Sequence, residues 1–187
     1  HLDLNIEKYD TPESLDQILN DNLEHWESLY GTRPSEVSFS LRFAGIIQRA
    51  YEQTGQRVVI LVDEYDKPLL QALDNLPLFE EYRKMLKAFY GVLKSADRYL
   101  RFVFLTGVTK FSQVSVFSDL NQLVDISMNS DYAAICGITS EELRSNFIPE
   151  LEALSLEMNF TLDETIHQMK LKYDGYHFRE ETPGIFN

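Results

Sequence analysis

A single cysteine, Cys136, is all the thiol chemistry in this chain, which excludes an internal disulfide framework and fits a reducing compartment. It stands in the apolar run "AAICGIT" and reads as a small core residue rather than a nucleophile. Basic residues are scarce: 17 Lys and Arg face 30 Asp and Glu, a net charge of −13. Such a balance repels phosphate backbones and argues against direct nucleic-acid binding, while leaving room for a local nucleotide site helped by a cation. No apolar run approaches the roughly 18 residues that cross a bilayer, and no basic-then-apolar leader opens the chain. A soluble, cytoplasmic protein with no membrane partner is expected. None of the eight glycines precedes a lysine, so the Gly-Lys-Ser/Thr turn that cradles phosphates is missing. No acid stands two residues before any lysine, which excludes a nuclease site of that spacing from this segment.

What is present is enough for one domain with a sizeable core: 187 residues, 44% apolar and 12% aromatic. Residues 1–6 alternate like a strand. Asp10 or Thr11 as cap, with Pro12 in the first turn, predicts a helix from about Glu13 to Tyr30. Ser40 is the expected cap of a second helix that stops near Gly55. Val58 to Val62 is a short, Val- and Ile-rich run, the signature of a parallel strand buried on both faces. A helical stretch begins at Asp66-Lys67-Pro68, and a long helix is expected from about Phe79 to Ala96. A second apolar strand lies in "YLRFVFLTGVT", and a short one in "QLVDIS", residues 122–127. From about Thr139 two amphipathic helices are expected, followed by "KYDGYHF". The order predicts an α/β core over 1–138, a mainly parallel sheet with helices on both faces, and a small helical subdomain over 139–187.

Ligands of such sheets sit beyond the C-terminal ends of the strands, and both polar signals fall there. Asp63 and Glu64 end the first apolar strand, which is the Walker B pattern of P-loop NTPases. A rigid strand end holds both carboxylates towards a ligand: the Asp to help hold Mg²⁺, the Glu to orient or deprotonate water. Thr106, or second Thr109, offers a hydroxyl at the neighbouring tip, with Lys110 just beyond. The plainer alternatives are acids that solvate a strand end and threonines that satisfy a turn.

"VVILVDEYDKPLL", "FLTGVTKFSQVSVFSDLNQLVDISMNSDYAAICGITSEEL" and "KYDGYHF", in that order, together resemble the AAA-ATPase-like domain of bacterial proteins, often fused to a C-terminal PD-(D/E)XK nuclease-like domain. The resemblance implies a three-layer P-loop fold lacking here its Walker A strand and loop, which would precede His1, with "GIFN" leading into further chain. It implies ATP as substrate with Mg²⁺, Asp63 as the metal-associated acid, and Glu64 and Thr106 as catalytic groups. Thr109 and Lys110 would be nucleotide-binding, and homo-oligomerisation is compatible with it. In "YDGYHF", His177 replaces the family's usual Arg, which weakens any phosphate contact there. Tyr173, Tyr176 and Phe178 read as aromatic packing, and His25 and His167 as surface or interface residues. The alternative is a degenerate or nucleotide-gated regulatory module that binds without turnover and controls a fused effector.

Overall fold

The computed structural model describes residues 1–108, 116–117, 120, 122–176 and 184–186; Thr109, Lys110, His177 and Phe178 lie outside the described residues. The chain forms two compact units, His1–Leu123 and Val124–Asn187.

In the first unit the order is β1 (Leu2–Asp3), α1 (Pro12–Tyr30), α2 (Phe39–Thr54), β2 (Val58–Asp63), α3 (Lys67–Gln71), α4 (Leu76–Ser95) and β3 (Leu100–Leu105). The three strands form one sheet in the order β1-β2-β3, both pairings parallel, so the unit is α/β. Thr11 is extended at the start of α1 and Pro12 sits in its first turn. The cap of α2 is Ser38, not the expected Ser40: the Ser38 hydroxyl accepts from the Leu41 amide at 3.3 Å. Ser40 is used between helices, donating to the Ala88 carbonyl of α4 at 3.0 Å. At the other end Gly55 takes φ 67° and its amide caps Tyr51, a left-handed geometry that glycine adopts without steric cost. α4 starts three residues before the expected Phe79, because Asn75 accepts from the Leu78 amide and Pro77 fits the first turn.

Leu15, Ile18, Leu19 and Leu23 of α1 are buried, as are Phe43, Ile46 and Ile47 of α2 and Tyr82, Leu86, Phe89 and Leu93 of α4. Phe43 stacks on Phe89 with centroids 4.5 Å apart. Each fully buried ring of this size contributes about 1.5–3 kcal/mol. The core takes up one face of the sheet: Val58, Ile60, Val62, Leu100, Val103 and Leu105 pack into it. The opposite face departs from the expectation of a strand buried on both sides. Val59, Leu61 and Phe102 are 48%, 39% and 54% exposed, and among the described residues no helix covers them. Five apolar residues in a row make both faces of a strand hydrophobic. Which of them meets a helix is settled by the rest of the chain.

Gln122–Ser127 form no strand. The carboxylate of Asp125 accepts from the Ser127 amide at 2.9 Å, the local Asx turn that competes with a ladder.

The second unit holds α5 (Ser140–Asn146), α6 (Ile148–Met158) and α7 (Leu162–Tyr173), then β4 (Asp174–Tyr176) antiparallel to β5 (Ile185–Phe186). Three helices thus stand where two were expected. Thr139 and Glu142 close a capping box on α5, and Pro149, lacking an amide, lies in the first turn of α6. Leu143, Leu151, Ile166 and Phe186 form its core. Tyr173 is 57% exposed and Cys136 is exposed, so neither is the packed residue its apolar neighbours suggest. His25 and His167 are exposed, as expected.

Candidate functional site at the strand tips

The parallel register of β2 and β3 runs to Val62 against Leu105. Hydrogen bonding continues beyond it. Thr106 donates its amide to the Val62 carbonyl at 2.9 Å, and Tyr65 donates its amide to the Thr106 carbonyl at 2.9 Å. These two bonds hold the tips side by side after the pleat has ended, so the residues that leave the sheet stay in register.

Asp63 and Thr106 are brought together by that register: the Thr106 hydroxyl donates to Oδ1 of Asp63. Asp63 is exposed and lies opposite Asp3 of β1, whose carboxylate accepts from the Asn5 amide at 2.7 Å. Glu64 has φ +55°, in the left-handed region that costs a residue with a Cβ about 1–2 kcal/mol. Such a conformation persists only where its surroundings fix it, and it concentrates at functional sites. It turns the chain out of β2: the Glu64 carbonyl accepts from the Lys67 amide at 3.0 Å. The Glu64 side chain is half-buried and has no hydrogen-bonding or ionic partner among the described residues.

Two further residues, not assigned to the site from the sequence, belong to it. Lys67, in the first turn of α3, donates from Nζ to the Asn5 carbonyl at 2.9 Å and also contacts Oδ1 of Asn5, tying α3 to the exit of β1. Asp66 is fully buried, and its Oδ1 accepts from the Val108 amide at 3.2 Å. A third acid three residues after Asp63, followed by "KPLL", could have drawn attention to it. Thr109 and Lys110, expected nearby, lie outside the described residues.

Chemically, the tips offer one exposed carboxylate fixed by a hydroxyl and a second acid held in a tight turn. The described residues contain no group of three or more potential metal ligands. A single acid with an adjacent hydroxyl suits Mg²⁺, which keeps most of its waters and takes one or two carboxylates plus substrate phosphates; it does not suit a cation that needs a cage of protein ligands. An apolar cavity of about 450 Å³ lies elsewhere, beside β2, lined by Trp26, Leu29, Phe43, Ile46 and Val58 among others and by no acid. His1, His25, Thr54 and Arg57 also line it, and Asp63, Glu64 and Thr106 do not.

The family model described as "Predicted AAA-ATPase" matches residues 1–117. A curated relative, an uncharacterized protein in the vnfD 5' region of Azotobacter chroococcum mcd 1, is 41% identical over 140 residues, or 75% of this chain. That alignment spans 25% of the relative's length, so the chain corresponds to about a quarter of it. No solved structure matches.

Proposed function

The chain belongs to the AAA-ATPase-like family, and on that premise we propose that its strand tips are the hydrolytic half of a Mg-ATP site. The phosphate-cradling Walker A segment would come from another part of the protein. The observation that carries the reading is the Thr106–Asp63 hydrogen bond, which joins two adjacent parallel strand ends into one polar edge, where α/β sheets bind ligands.

Each residue has a role on this reading. Asp63, with one oxygen held by Thr106, would hold Mg²⁺ through its other oxygen or through water. The ion would offset triphosphate charge. Glu64 orients a water and takes its proton as the water oxygen bonds to the γ-phosphorus. The bond to the β-phosphate bridging oxygen then breaks, and its electron pair leaves on ADP. Thr106 fixes Asp63 and stands where a hydroxyl can sense the γ-phosphate; Thr109 and Lys110 would extend nucleotide binding from the same segment. The exposed row Val59, Leu61 and Phe102 suits a three-layer fold whose second layer is supplied by further chain. The helical part from Thr139 would act as a lid-like subdomain, and a fused nuclease-like effector would be controlled by the nucleotide state.

Glu64→Gln in the full-length protein is the test. Expected are ATP binding within a few-fold of native and turnover reduced by at least about 100-fold, the lower range for a general base. An unchanged rate removes Glu64 from the mechanism. Binding without turnover in the native protein favours a nucleotide-gated regulatory module instead.

A further inference from the structure

We infer that Asp66 is a positioning residue that sets the spacing between the two strand tips and thereby the seating of Thr106 on Asp63. The inference rests on the proposed role of these tips and deepens it.

Asp66 is a carboxylate with 0% exposure. A buried polar side chain costs free energy unless it is hydrogen-bonded. Its Oδ1 reaches across from the β2–α3 turn to the Val108 amide at 3.2 Å, while the Tyr65 amide, next to it in sequence, donates to the Thr106 carbonyl at 2.9 Å. The turn after β2 therefore grips the turn after β3 at two places, on either side of Gly107. One grip is backbone to backbone. The other is a single carboxylate.

Gly107 shows how close the two turns come. A Cβ built there would lie 2.5 Å from Oδ1 of Asp66 and 2.6 Å from the Tyr65 ring, inside van der Waals contact. The requirement is for room, not for an unusual φ. The Tyr65 ring lies 5.1 Å from that of Phe117, which lies 5.2 Å from that of Tyr90. Tyr65, next to Asp66 in the chain, joins these rings to the turn, and a hydrogen bond accepted by a buried carboxyl oxygen is stronger than one in solvent. Asp66 is thus buried while Asp63 is exposed, and it acts through Val108, Gly107 and Thr106.

The test uses the full-length protein with Asp66→Ala, Asp66→Asn and Gly107→Ala. Amide hydrogen exchange at Val108 reads the lock without reference to catalysis. Asp66→Ala should speed it by about tenfold or more, with the Thr106 amide still protected by Val62, and Asp66→Asn, which keeps an acceptor oxygen, should restore most of the protection. In turnover, Asp66→Ala and Gly107→Ala should lower kcat by about tenfold or more with KM for ATP within about threefold, and Asp66→Asn should recover most of it. Unchanged Val108 exchange in Asp66→Ala, equal damage in Asp66→Asn, or a native kcat in a variant whose Val108 amide has been freed would overturn the assignment. Absence of turnover in the native protein would instead count against the ATPase reading, and exchange at Val108 would still decide Asp66.

Discussion

The Thr106 hydroxyl donates to Oδ1 of Asp63 across the gap between two strands that are 37 residues apart in sequence, Asp63 ending one and Leu100 opening the next. A hydrogen bond to a charged acceptor is worth about 1.5–3 kcal/mol. Thr106→Val keeps the shape and removes the donor. In the full-length protein it should lower kcat for ATP by about 10- to 100-fold with little change in KM, and Thr106→Ser should keep most of the rate. Steady-state kinetics on the two variants checks this, and equal rates for Val and Thr would remove the hydroxyl from the site.

Glu64 bears a left-handed backbone, φ +55°, and glycine adopts that region without the Cβ clash. Glu64→Gly should therefore be more stable than Glu64→Ala by about 1 kcal/mol, although both lose the carboxylate. Urea unfolding of the two variants makes the comparison. A more stable alanine variant would mean that the turn relaxes once the acid is gone.

Burial pushes the Tyr82 phenol up to about 12, and raises those of Tyr9 and Tyr90 further. An unfolded tyrosine titrates near 10. Because the folded values lie higher, the associated stability is intact below about pH 10 and is lost as pH rises towards 12 and beyond. The urea midpoint should be flat from about pH 7 to 9.5 and then fall. Tyr90→Phe should soften that fall. It should also stabilise the protein slightly at pH 8, since the Tyr90 hydroxyl is buried with no hydrogen-bond partner among the described residues. A steep fall unchanged in the variant would place the alkaline transition on another group.

Arg49 and Glu36 form an ion pair with both side chains 9% exposed, and Arg49 Nε donates to the Tyr30 carbonyl at 3.2 Å. The pair pins the α1–α2 connection onto α2. Glu36→Ala leaves a guanidinium buried without its counter-charge and should cost about 3–5 kcal/mol. Replacing both by apolar residues, Glu36→Leu with Arg49→Met, should cost far less. Chemical denaturation of the single and double variants measures the difference.

Much of this was open to a reader of the sequence because it depends on neighbours along the chain. Thr11, Pro12 and the Leu15-Ile18-Leu19-Leu23 spacing specify α1; the Val and Ile run specifies β2; its closing acids mark a strand end. The cap at Ser38 was harder to see, since Ser38 and Ser40 have the same local chemistry and only the Ala88 carbonyl separates them. The turn at Asp125 is not legible in its segment, because an Asx turn needs one hydrogen bond that alternation does not reveal. The exposure of Cys136 and Tyr173 is not legible either, because apolar neighbours report on composition and not on what lies opposite.

By itself the sequence determined the helices and the two apolar strands of residues 12–105 and the presence of acids at the end of one strand, all set by periodicities and caps a few residues long. Tertiary structure decided which face of the sheet is covered, that Thr106 meets Asp63, and that Asp66 is buried between two turns. Those are long-range facts. They follow from the register of β2 on β3, and register is fixed by the packing of side chains from helices far away in the chain.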